Sequence, residues 1–173
     1  MLFVLVKFVV AVFIIRFHCE LSGLAFNPIY RKIRELTEVV VLPVRNMLRK
    51  MKVRTPFDPS SAVSALLISL LAGILLVRDF CTALAVGFFG IFIGSWLNVF
   101  IYSIFLGVIA SWLQAPQKTP AMQIVYAIEG IIIAPLRKFI PPIGMFDFTP
   151  MVALMILFAL QSALQSMLRV IGA

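Results

Sequence analysis

Leu42-Pro43-Val44-Arg45, followed by Asp58-Pro59-Ser60-Ser61 and an apolar run, is a pattern that this chain states twice. The second statement is Ala134-Pro135-Leu136-Arg137, followed by Asp147-Phe148-Thr149-Pro150 and another apolar run. An aliphatic stretch precedes each proline, Val39 to Leu42 in one copy and Ile131 to Ala134 in the other. Asn27-Pro28 and Thr119-Pro120 lie upstream, each 15 residues ahead, counted proline to proline. From Pro28 to Arg45 the copies align without a gap at an offset of 92, sharing Pro28/Pro120, Pro43/Pro135 and Arg45/Arg137. Self-similarity at a fixed period marks a duplicated unit. Here punctuation carries it more than the letters between.

The rest of the chain supplies the setting for that unit. Its 173 residues are 62% apolar with a mean hydropathy of +1.10, far above the soluble average of about half apolar. The runs at 61–77, 92–113 and 150–168 approach the roughly 20 residues that a bilayer crossing needs. A fourth run starts near Met1 and ends between Phe17 and Phe26; without a basic n-region and a small-residue cleavage site it reads as a retained span, not a signal peptide. The expected fold is an all-α integral membrane protein with four transmembrane helices, arranged as two parallel helix–amphipathic segment–helix repeats. The expected division is 1–79 for the first repeat, 80–91 for an apolar connector and 92–173 for the second repeat. Two crossings per repeat return the chain to its starting side, so the copies are parallel and unlike the inverted repeats of many transporters.

Within each repeat the excursion between spans is the polar part. Asn27-Pro28 predicts a helix start, with Asn capping and Pro at the first helical position. Ile29, Ile33, Leu36 and Val40 follow on one face, with Arg31, Lys32, Arg34, Glu35 and Glu38 on the other, which predicts a helix lying at the headgroup boundary. Pro43 is expected to end it. A second short stretch then carries Val44, Met47, Leu48 and Met51 against Arg45, Arg49 and Lys50, and Lys52 and Arg54 extend the basic run. In the second copy Val125, Ile128 and Ile132 take the places of Ile33, Leu36 and Val40. Phe80 to about Ile91 is expected to lie along the membrane surface or to be partly re-entrant, because a single straight helix over 34 uncharged residues would be about 50 Å long. Small residues Ser64, Ala65, Ser69, Ala72 and Gly73 predict that the second span packs inside the bundle.

Charge sets orientation. The loop at 27–58 holds eight Lys and Arg residues, the second loop only Arg78, and the loop at 114–149 holds Lys118, Arg137 and Lys138. By the positive-inside rule the basic loops face the cytoplasm and both termini face outward. The net charge of +8 therefore belongs with anionic lipid headgroups and not with nucleic acid. Arg31, Lys32, Arg34, Arg49, Lys50, Lys52, Arg54 and Lys138 are the candidate headgroup residues.

Few residues suggest chemistry. His18 is the only histidine, and Cys19 and Cys81 have no CxxC spacing, so neither a metal site, a cofactor site nor a nucleophilic catalytic set is expected. Asp58 and Asp147 each precede a helix start, where capping is the ordinary role for a carboxylate. Arg45 and Arg137 either snorkel to the headgroups or pair with the carboxylate of their own copy, as bidentate Arg–carboxylate geometry favours. In the second case Pro43, Arg45, Asp58, Pro135, Arg137, Asp147 and Pro150 form a structural staple pinning each excursion to the next span. Arg16 and Glu20, four apart, either pair at the interface or, with Asn98, line an intramembrane polar path.

The duplicated Pro-x-Arg, a short linker, Asp-x-Ser/Thr-Pro and an apolar span resemble the YggT family of bacterial membrane proteins, with its YlmG and plastid relatives. Residues 131–150 match the pattern more closely than the first copy, which reads Asp58-Pro59-Ser60-Ser61 and has a linker three residues longer. The resemblance implies a multi-pass protein of the bacterial inner membrane with roles in osmotic tolerance and potassium accumulation, in cell division, or in assembly of membrane complexes. It implies no catalytic residues. The expected function is a non-enzymatic scaffold or assembly factor that binds anionic lipid and another membrane protein or a second copy of itself. An ion channel or transport component is the alternative.

Overall fold

The computed structural model describes residues 2–52, 55–140 and 147–171, and every regular element among them is helical. We number six helices: α1 Leu2–Leu21, α2 Pro28–Lys50, α3 Ser60–Leu76, α4 Phe80–Trp112, α5 Pro120–Leu136 and α6 Thr149–Ile171. Three of them, α1, α4 and α6, are long and apolar enough to cross a membrane by length and composition. α3 is apolar but has 17 residues, at the short end of the range for a span.

α1 and α4 run the same way: Ser95 Oγ lies 3.5 Å from the Lys7 carbonyl, and further along the His18 and Phe100 rings are 5.2 Å apart. α3 runs against them. Its buried face is the small-residue stripe Ser60, Ser61, Ser64, Ala65, Ser69, Ala72 and Gly73, in line with the sequence. A methyl on Gly87 would stand 2.7 Å from the Ser69 carbonyl oxygen, and one on Gly73 would overlap the Ala83 carbonyl. Backbone meets backbone there, which only glycine permits.

That contact explains the course of 80–91. The stretch is not a surface or re-entrant connector but the opening turns of α4, continuous with the rest through π-helical turns at Val86–Ile93. Gly87 and Gly90 admit α3 and the Leu168 side chain of α6. The π turns carry the extra residues without breaking the helix.

Pro43 likewise does not end α2, which runs on to Lys50. An interior proline removes one helical hydrogen bond. Here the helix is docked before Pro43 through Tyr30, Thr37 and Val41 and after it through Arg45, whose Nε reaches Asp58 and whose Nη1 reaches back to Glu38 Oε1 at 2.7 Å. Asn27 caps α2 as its sequence suggests, accepting from the Ile29 and Tyr30 amides at 3.0 and 3.2 Å. Thr119 Oγ1 accepts from Met122 N at the start of α5. Asn27 Nδ2 also donates to the Pro120 carbonyl at 2.8 Å and to Gln123 Oε1 at 3.1 Å. The two helix starts therefore touch each other.

The main core gathers Val10, Phe13 and Ile14 of α1 with Val41, Ala65, Ile91, Val99 and Ile128. A second cluster joins Ile101, Ile104, Ile133, Ala153 and Leu157. α6 is peripheral: 11% of its apolar window is buried, against 44% for α4. Its polar tie to the bundle is Gln161 Nε2 donating to Asn98 Oδ1 at 2.8 Å.

Candidate functional site

At the end of the bundle where α1 finishes and α3 begins, nine side chains from α1, α2, α3 and the loop before α3 form one ion network. Arg16 of α1 is completely buried. Its Nε donates to Glu20 Oε1 at 3.0 Å, its Nη1 to Thr37 Oγ1 at 2.7 Å and to the Arg34 carbonyl at 3.3 Å, and its Nη2 to Glu38 Oε2 at 2.6 Å. Arg45 of α2 donates to Glu38 as above and through Nε to Asp58 Oδ2 at 2.6 Å. Tyr30 Oη and Ser61 Oγ donate to the two oxygens of Glu20 at 3.3 and 2.9 Å. Arg34 lies at the rim, 3.9 Å from Glu38. Three guanidinium groups thus face three carboxylates, the condition under which charge can be buried without a large penalty.

Electrostatics follow the geometry. Burial opposes ionisation of Glu38, but hydrogen bonds and charge from Arg16 and Arg45 outweigh it and hold the carboxyl below its ordinary range. For Asp58, burial is again outweighed, first by the Ser60 hydroxyl and amide and then by Arg45. Arg45 moves the opposite way: its burial is overcome by Asp58 and Glu38, and its pKa is raised.

The second copy builds a plainer version. Arg137 Nε and Nη2 both donate to Asp147 Oδ2, at 2.9 and 2.7 Å, and Asp147 Oδ1 accepts from Thr149 N at 2.9 Å. Arg137 is 57% exposed where Arg45 is 13%; α4, which stands in the second copy where α1 stands in the first, brings no carboxylate to it. Burial, outweighed by Thr149 and Arg137, leaves Asp147 below its ordinary range. Pro135 lies inside α5 next to its last residue and Pro150 is the second residue of α6.

The structure separates the expected polar path. Arg16 and Glu20 belong to the network, whereas Asn98 is engaged with Gln161. Among the headgroup candidates, Arg31, Lys32, Arg34, Arg49, Lys50, Lys52 and Lys138 are exposed; Arg54 lies outside the described residues. Among the described residues no group of His, Cys, Asp and Glu could hold a metal. His18 is buried among Phe17, Trp96 and Phe100.

Sequence reasoning missed Glu38 and Thr37. Glu38 and Arg45 are seven apart, one face of a continuous helix, a signal hidden by the expectation that Pro43 breaks it. It also missed a cavity of about 620 Å³ between the second half of α4, α5 and the start of α6, lined by Ser111, Gln117, Tyr126, Glu129, Arg137 and Asp147 among others. The Glu129 carboxylate lies against Gly107. Burial pushes its carboxyl up to about 7, with Arg137 pulling the other way.

Residues 86–168 match the CCB3/YggT family. An "Uncharacterized protein" of Haemophilus influenzae is 26% identical over 144 residues, covering 83% of this chain and 77% of the relative. An "Uncharacterized protein YggT" of Escherichia coli is 22% identical over 157 residues, covering 90% of this chain and 79% of the relative. No solved structure matches.

Proposed function

The second half of this chain belongs to the CCB3/YggT family, and from that premise we propose that the protein is a non-enzymatic scaffold or assembly factor of the bacterial inner membrane. In this reading α1, α3, α4 and α6 all cross the bilayer as two parallel repeats, α2 and α5 lie at the cytoplasmic leaflet, and both termini face outward. The opposed directions of α1/α4 and α3/α6, and the contact between Asn27 and Pro120 at equivalent points of the copies, support it: equivalent residues meet near an axis relating two halves. At 17 residues, α3 is about 25 Å long and crosses with its flanking turns.

The observation that carries the function is the pinning of α2. Arg16 and Arg45 hold its polar seam against the bundle, while Arg31, Lys32, Arg49 and Lys50 stay exposed beside an apolar strip of Leu36, Val40 and Met47. A helix fixed in place with basic and apolar surfaces outward suits anionic lipid and a membrane partner, a second copy included. In this reading the network holds α2 in place for binding.

Photo-cross-linkers placed at Leu36 and Met47 in native membranes should recover one stoichiometric membrane protein, lost when Arg31, Lys32, Arg49 and Lys50 are all changed to Gln. Recovery of lipid alone overturns the scaffold reading. Liposomes holding the pure protein should pass no potassium; flux above a denatured control would establish transport in its place.

A further inference from the structure

Carried back onto the helix before each excursion, the offset of 92 pairs Arg16 with Val108, and within the excursions it pairs Thr37 with Glu129 and Glu38 with Gly130. In the first half Arg16 fills the seam between α1 and α2 and donates to Thr37 and Glu38. In the second half the equivalent seam, between α4 and α5, is the cavity of about 620 Å³. Val108 lines it and offers no charge. The Glu129 carboxylate crosses to Gly107, where an added methyl would overlap its oxygens. No cation among the described residues donates to it. Arg137 lines the same cavity, but its Nε and Nη2 are given to Asp147. One half thus carries its own cation where the other presents an acceptor, and a partly buried carboxylate calls for a donor.

We propose that the α4–α5 cavity binds a primary ammonium group, with its N–H donors on Glu129 and the anionic part of the same molecule facing Arg137. An ethanolamine phospholipid headgroup and free phosphoethanolamine share this chemistry, an ammonium and a phosphate two carbons apart. The volume falls within the range of small-molecule sites, about 300–1,000 Å³. α5 starts beside the start of α2, which places the cavity at headgroup depth if α2 rests on the leaflet. The site does not depend on the scaffold role, since it needs no protein partner.

The test uses the full chain in detergent, with retention followed by native mass spectrometry and thermal unfolding. Phosphatidylethanolamine should be retained about tenfold over phosphatidylcholine, whose quaternary ammonium has no N–H to give, and Glu129→Gln should remove that preference, as expected for losing a charge-assisted hydrogen bond. Glu35→Gln, at an exposed position on α2, should leave it unchanged. Val108→Arg, supplying the guanidinium of the first half, should abolish retention and raise the melting temperature, a gain that a damaged fold cannot mimic. Equal retention of the two lipids, or a preference that survives Glu129→Gln, overturns the proposal. If free phosphoethanolamine protects as well as the lipid, the ligand is the soluble amine; if it does not, the ligand is the lipid, and both results uphold the site.

Discussion

Truncating Arg16 would remove a fully buried guanidinium shared by Glu20 and Glu38, whereas truncating Arg137 would take from Asp147 a guanidinium that is itself 57% exposed. The two substitutions therefore separate in magnitude. Arg16→Ala should cost roughly 3 kcal/mol, the low end for breaking a buried pair, and Arg137→Ala under about 1 kcal/mol, as for an exposed pair. Thermal unfolding in one detergent checks both, and equal losses would mean that depth is not what distinguishes the copies. The acid response follows from the same carboxylates. Glu38, Asp58 and Asp147 all titrate below their ordinary range, so the unfolded chain takes up protons first, and the stability they contribute is present at neutral pH. It is lost as pH falls through the ordinary carboxylate range and below it. In a Glu129→Gln background, which removes the carboxyl pushed up to about 7 and with it a gain in stability as pH falls below 7, melting temperature should be flat from pH 7 to about 5 and then fall, and Glu38→Gln should flatten the acid limb. The Arg45–Asp58 and Arg137–Asp147 pairs were legible in the sequence because each lies inside one repeat at short separation. Glu38 was not, since its part depends on α2 continuing through Pro43.

At the scale of elements, apolar runs and Asn/Thr-Pro starts read directly, because hydropathy and caps are local properties. Whether a glycine bends a helix or receives a neighbour is not local. Residues 80–91 looked like a connector in a run too long for one crossing, yet the absent side chain of Gly87 is what lets α3 approach to van der Waals contact. Gly87→Ala keeps the backbone dihedrals and adds one methyl against the Ser69 carbonyl and Leu70 Cα. If the glycine serves packing, that methyl should cost about 1–3 kcal/mol by overpacking. If it serves bending, the substitution should be neutral or stabilising, since alanine is the better helix former. Unfolding of the single variant in detergent decides between them.

The molecule as a whole has one end where charge is concentrated and one where it is scarce, and α3 connects them. Asp58 and Ser60 sit in the ion network at the start of α3, while Cys81, exposed, follows shortly after its other end. Duplication was visible in the sequence as an offset; that Asn27 touches Pro120 was not, because contact between copies is a property of assembly. Cys19 is buried and Cys81 exposed, so the native chain carries one accessible thiol at the end expected to face outward. If α3 crosses the bilayer with its basic end inside, a membrane-impermeant maleimide should label Cys81 on intact spheroplasts and leave the Cys81→Ser variant unlabelled. A cysteine placed at the exposed position Lys50, in the Cys81→Ser background, should react only after permeabilisation. Labelling of both thiols from outside would show that α3 does not cross, and the reverse pattern would invert the topology; in either case the basic face of α2 would lose the anionic leaflet on which its proposed role depends.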